Sequence, residues 1–219
     1  MKLTKQAIEV LHNFAAISNS IYIKEGSVLC TKTVNNHTYA DATVDTVFTD
    51  EMGIYNLGKF LSVVKALGSD CEIDVDNDVI NIRNGKTQTT IENCNAATIV
   101  HPKKQAVFPD SDVTFELPNV IAKEFYSLSG ALGIEFMRFK SENDKVLLLG
   151  VTAEGQSVYR TTVGDFDSAL QSFDVYLRVN HIKMIECDYK VLISKLGIGK
   201  FEGDVISYII AMEEKSELI

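Results

Sequence analysis

The stretch LTKQAIEVLHNFA (Leu3–Ala15) and its counterpart LPNVIAKEFYSLS (Leu117–Ser129), offset by 114 positions, decide how this 219-residue chain is read. In the first, Ala7, Leu11 and Phe14 stand at i, i+4 and i+7, the spacing of one face of an α-helix. Adding the offset gives Ile121, Phe125 and Leu128, the same face again. Thr4 suits the start of one helix as a hydroxyl cap, and Pro118 suits the other because its missing N–H has no partner there. One pattern used twice predicts two similar halves.

The three prolines of the chain, Pro102, Pro109 and Pro118, fall in one window, HPKKQAVFPDSDVTFELP. Proline is excluded from central strands and helix interiors, so this window reads as an extended connector followed by a fresh start. It predicts domains over 1–108 and 109–219. Each half also offers a second short helix opened by asparagine, one from Asn56 to Lys65 and one from Asn180 to Ile185. Almost everything else alternates like strand, from IYIKE and TYADATV to YKVLIS and VISYIIAM, with breaks at Glu25-Gly26, Asn84-Gly85 and Glu154-Gly155. The expected class is α+β: two strand-rich units with two helices each.

Hydrophobic residues at 46% and charged residues at 23% belong to a folded globular chain. No apolar run approaches the ~20 residues of a bilayer span, and MKLTKQAIEVLHNF is too polar for a secretory signal. The net charge of −9 argues against a surface that holds nucleic acid by bulk electrostatics. The charge is nevertheless sorted. Across the four helical windows Lys2, Lys5, Lys59, Lys65, Lys123, Arg178 and Lys183 oppose Glu9, Glu124 and Glu186, a net +4 that leaves −13 elsewhere. On a helical wheel, Lys5, Glu9, His12 and Asn13 turn outward on the first helix, and Lys59, Ser62 and Lys65 on the second. The third turns out Asn119, Lys123, Tyr126 and Ser127.

Catalytic patterns are missing. Cys30, Cys71, Cys94 and Cys187 form no CxxC pair, and the four histidines lie at no zinc-site spacing, so free thiols in a reducing cytoplasm are expected. Asp74-Val-Asp76-Asn-Asp78 lacks the glycine and the closing acid of a calcium loop and reads as a hairpin turn. LGIGKFEGD (Leu196–Asp204) fits neither nucleotide-binding glycine motif, and no serine sits in a G-x-S-x-G elbow. Paired Asp165 and Asp167 fit local turn chemistry. No catalytic residue, cofactor or metal is predicted.

KFEGDVISYIIAMEE (Lys200–Glu214), the opening MKLTKQAIEVLHNFA, IYNLGKFLSVV (Ile54–Val64), HPKKQAVFP, VGDFD, FDVYLRVNHIKM and YKVLIS run through nearly the whole chain. Together they resemble the sliding clamps of T-even-type bacteriophages, the DNA polymerase processivity factors. The resemblance implies the DNA-clamp fold, with two helices per domain on the inside of the sheets and three subunits joined head to tail into a ring around duplex DNA. It implies a non-enzymatic tether for the phage replicative polymerase in the host cytoplasm, with a clamp loader and a sigma-like factor of late transcription as further partners and no membrane contact. On this basis Lys5, His12, Lys59, Lys65, Lys123 and Lys183 are expected to face DNA. Ile99, Val107 and Phe108 are expected to form a partner pocket beside the connector. The third helix offers only Lys123, where family members can be richer in arginine. The competing reading is a structural phage protein of duplicated β-rich domains, which would have no reason to gather lysine on its helices.

Overall fold

Thr4 begins the first helix as its position predicts, its hydroxyl oxygen accepting the Ala7 N–H at 3.1 Å. In the computed structural model, which describes residues 1–219, α1 runs from Lys5 to Ile17 and buries Ala7, Val10, Leu11 and Phe14. Asn56 opens α2 (Leu57–Leu67) in the same way, its side-chain oxygen accepting the Lys59 N–H at 2.8 Å. Leu57, Phe60, Leu61 and Val64 form the inner face of α2, and Gly68 ends the helix at a φ of +96°, which favours glycine.

The chain divides into two units, Met1–Ala106 and Val107–Ile219. In the first, β1 (Ile21–Ile23) pairs with β4 (Met52–Ile54), and β2 (Gly26–Lys32) pairs with β3 (Thr38–Phe48). A meander of β5 (Glu72–Asp76), β6 (Val79–Asn84) and β7 (Thr87–Glu92) completes it. Along β3, every second residue from Thr38 to Phe48 is buried, the period of a half-covered strand. Helix α1 lies against β3 and α2, so the two helices stand side by side over one layer. The Asp76–Asp78 segment is the hairpin turn expected of it, with Asn77 at a φ of +50°. Gly53 is required by crowding: a Cβ there would stand 1.8 Å from the carbonyl oxygen of Cys94.

The second unit builds two antiparallel sheets. One has the order β11 (Ser157–Gly164), β10 (Lys145–Thr152), β9 (Ile134–Glu142), β13 (Phe173–Arg178), β17 (Glu217–Leu218). The other runs β12 (Phe166–Ser168), β8 (Val113–Leu117), β14 (Tyr189–Ser194), β15 (Ile198–Glu202), β16 (Ile206–Ala211). Aromatic rings join the layers: Phe115 of β8 lies 5.0 Å from Phe139 of β9, and Phe139 lies 6.3 Å from Phe201 of β15. Such pairs contribute about 0.5–1.5 kcal/mol each beyond the area they bury.

Three expectations change. The helix expected from Asn180 to Ile185 is only a 3-10 turn, Val179–His181. The following backbone is held open by tyrosine hydroxyls: Tyr208 accepts the Ile185 N–H at 3.1 Å, and Tyr189 donates to the Ile185 carbonyl at 2.6 Å. Both backbone groups of Ile185 are therefore spent on tyrosines rather than on helical bonds. The third helix, α3 (Asn119–Ser129), forms, but rotated from the expected face. Ala122 and Phe125 are buried, Tyr126 is drawn inward, and Leu128 is 37% exposed. The proline window also contains a strand, β8, bracketed by Pro109 and Pro118 outside its ends.

Candidate nucleic-acid interface

Three of the six expected DNA-facing residues come together on the first unit as unpaired lysines. Lys5 on α1 and Lys59 and Lys65 on α2 are exposed, and none makes an ion pair. His12, almost two turns along α1 from Lys5, is exposed on the same helix. The side-by-side packing of α1 and α2 makes one surface of the two outward faces. Neither helix has an acidic residue in its first turn, and both are capped by neutral side chains, Thr4 and Asn56. Their N-terminal dipoles therefore add to the positive character of the face. Lys65 sits in the last turn of α2, where a cation complements the carbonyl end.

The second unit is different. Lys123 is exposed, but its ammonium lies 2.8 Å from Glu186. The N-terminus of α3 is closed by a carboxylate, since Asp188 accepts the Asn119 N–H at 2.7 Å. Glu124, the one acid on α3, accepts the Tyr159 hydroxyl at 3.2 Å. Lys183 is exposed in the same stretch as Glu186 and Asp188, outside any α-helix. Between α3 and the 184–189 segment lies a groove of about 390 Å³ walled by Ala122, Tyr126, Met184, Ile185 and Cys187. The Lys123–Glu186 pair borders it. Asp188 is a residue that spacing did not single out, and Glu186 was counted only as an acid of its own window, because both meet α3 only after the chain has folded.

Two further cations of the sorted charge are also engaged elsewhere. Arg178, at the end of β13, pairs with both Glu135 and Glu213 and stacks 4.9 Å over the Phe136 ring. Lys2 stands 4.0 Å from Glu72. Among the helices the unpaired positive charge is thus confined to α1 and α2, where Lys5, Lys59 and Lys65 outnumber the exposed Glu9.

Of the expected partner pocket, Ile99 is 6% exposed and packs against Gly53, a core contact rather than an open wall. Val107 is 92% exposed and Phe108 half-buried. A cavity of about 180 Å³ beside the connector is lined by Tyr22, Lys24, Val28, Cys30, Pro102 and Gln105, and by none of those three. The connector is pinned along the first unit there. Gln105 donates to Asp41 at 3.0 Å, Tyr39 accepts the Ala106 N–H at 3.1 Å, and Tyr22 lies 5.0 Å from the His101 ring. Tyr22 donates to Glu51 at 2.6 Å, and that carboxylate pushes the phenol up to about 12.

The four cysteines form no disulfide. Burial raises Cys30, Cys71 and Cys187 above the usual thiol range, which disfavours the thiolate that nucleophilic or metal chemistry would use. No three histidine, cysteine or acidic side chains stand close enough to hold a metal ion together.

Comparison with known proteins bears on both units. The family described as DNA polymerase processivity factor matches residues 3–101, and the family described as gp45 sliding clamp, C terminal, matches residues 128–214. The sliding clamp of Escherichia phage RB69 is 30% identical over 226 aligned positions, covering 99% of this chain and 98% of that one. That of Enterobacteria phage T4 is similar to the same extent, and that of Vibrio phage KVP40 is 30% identical over 97% of this chain and 99% of its own. Among solved structures, Proliferating Cellular Nuclear Antigen from Entamoeba histolytica superimposes with a TM-score of 0.68 at 14% identity, over 95% of each chain. The DNA polymerase III subunit beta from Pseudomonas aeruginosa gives a TM-score of 0.71 at 9% identity, over 96% of this chain and 63% of that one. At such identities the likeness establishes the fold, and the fold is that of the DNA clamps.

Proposed function

This chain belongs to the sliding-clamp family of phage DNA polymerase processivity factors, and on that premise we propose that it acts by encirclement. Three copies join head to tail into a ring, each unit serving as one clamp domain with a boundary close to residue 108. The ring surrounds duplex DNA without reading its sequence and tethers the phage replicative polymerase in the host cytoplasm. A clamp loader opens it, and a sigma-like factor recruits it to late transcription. It holds DNA and partners and catalyses no reaction.

The observation that carries this reading is a small cationic face on two helices of a chain whose net charge is −9. A protein that holds DNA by affinity needs a dense basic patch, whereas a closed ring is retained by topology and needs only weak contacts. Exposed charge contacts of about 0.2–1 kcal/mol each let the ring move along the backbone. Phosphate contacts position a protein without specifying bases, which suits a sequence-indifferent tether. An acidic exterior discourages DNA from sticking elsewhere. Ring closure is supported by the free edges of β7 and β11, each the last strand of its sheet. The exposed Val107 and half-buried Phe108, rather than Ile99, are the apolar connector residues open to a partner peptide.

Loading onto a nicked circular duplex tests the reading. With loader and ATP, the protein is expected to stay on the circle through a high-salt wash and to leave when the circle is cut. Retention on linear DNA, or none on circles, would overturn encirclement.

A further inference from the structure

We infer that the duplex is gripped from one side of each subunit: α1 and α2 of the first unit contact phosphate, while Glu186 and Asp188 silence α3. This deepens the encirclement reading and rests on it for the identity of the partner.

The asymmetry has three independent parts. The first is ion pairing. Lys5, Lys59 and Lys65 are exposed without an acidic partner, whereas the one lysine of α3 is matched at 2.8 Å by Glu186. The second is the helix ends. Thr4 and Asn56 leave the positive ends of α1 and α2 uncompensated by charge, whereas Asp188 lies 2.7 Å from the first amide of α3. The third is the surrounding field. The first unit carries ten basic and twelve acidic residues, the second eleven and eighteen, so their net charges are −2 and −7. A polyanion approaching the helices therefore meets attraction on one unit and neutrality set in a negative field on the other.

Glu186 and Asp188 lie in the segment that tyrosines hold out of helical form. Had this stretch continued as a helix, both carboxylates would have been carried round its axis with every turn. The irregular, bent backbone instead delivers one to the Lys123 ammonium and the other to the α3 terminus. The consequence is a sparser grip, with one contact patch per subunit in place of two. Fewer simultaneous phosphate contacts lower the cost of each step along the duplex.

Fluorescence anisotropy on a labelled 30-base-pair duplex of arbitrary sequence, measured over a series of salt concentrations, tests this. Glu186→Gln frees Lys123 and is expected to tighten binding several-fold at low salt and to steepen the log–log salt dependence by about 1. Adding Lys123→Ala to that variant is expected to remove the gain. Glu214→Gln, an equal charge change on an exposed acid of the C-terminal tail, is expected to leave the slope alone. Lys59→Ala and Lys65→Ala are each expected to flatten the slope by about 1. If Glu186→Gln behaves like Glu214→Gln, or if Lys123→Ala in the native background costs as much as Lys59→Ala, the one-sided grip is wrong. The circle-cutting assay fails separately: a native protein that never stays on circles refutes encirclement, while the salt series still reports which helices touch phosphate.

Discussion

Single side chains carry both tight fits and a mismatch in this protein. Gly53 is a fit: the Cys94 carbonyl passes so close that no side chain can stand there, and Cys94 returns its own N–H to the Gly53 carbonyl at 2.8 Å. Tyr126 is the mismatch. Rotation of α3 draws its ring into the wall of the 390 Å³ groove, and its hydroxyl is sealed from solvent without a hydrogen-bond partner. Burial pushes that phenol far above its usual range. An unsatisfied buried hydroxyl costs about 1–3 kcal/mol, so Tyr126→Phe, which keeps the ring, is expected to stabilise the protein by about 1 kcal/mol. For a chain of this size that raises the thermal midpoint by roughly 2–4 °C. A lowered midpoint would mean that the hydroxyl is satisfied after all.

Elements were legible wherever the signal is local and obscure wherever a distant residue intervenes. Asn56 and Asn180 present the same cap signal, yet only the first opens an α-helix. What separates them is in part distant: Tyr208 on β16, 23 positions on, takes the Ile185 N–H, while Tyr189 at the start of β14 takes the carbonyl. Tyr208→Phe is expected to strand the Ile185 N–H, costing about 1–3 kcal/mol. Hydrogen exchange at Ile185 should then accelerate more than at β14 amides, and unchanged exchange would show that the tyrosine does not hold the segment. Strand β15 was hidden for a related reason. One of its inward positions is Gly199, where a Cβ would stand 3.0 Å from Ile193, so the alternation that marks β3 is interrupted by a fit visible only in three dimensions. Strand β8 does alternate, with Val113, Phe115 and Leu117 buried, but the flanking prolines drew it into the connector. The interface follows the same rule. Lys5, Lys59 and Lys65 were readable from helical spacing, whereas the neutralising of Lys123 by Glu186 spans 63 positions and leaves no local trace.

At the scale of the whole molecule, the consequence to be tested is assembly. Strands β7 and β11 each end a sheet with one row of backbone groups unpaired, and long unpaired edges are normally blunted, covered or used. Neither carries a proline, and each has one long basic or acidic side chain near its end or middle, Glu92 in β7 and Arg160 in β11. Arg160 is already paired with Glu142, which leaves the β11 edge without a free charge to repel an incoming strand. One such edge in each unit suits a heterologous contact, in which the edge of one subunit meets the other edge of the next and the chain of contacts closes. If these edges close the ring, native mass spectrometry should find a species at three times 24.3 kDa. The outward amides of Thr87–Glu92 and Ser157–Gly164 should exchange slowly in it and quickly after dilution to single chains. The amides of α1, satisfied within the helix, should show no such dependence on concentration. Protection at β7 and β11 that ignores dilution would place the subunit contact elsewhere on the surface, because an edge paired only between chains cannot stay protected once the chains separate.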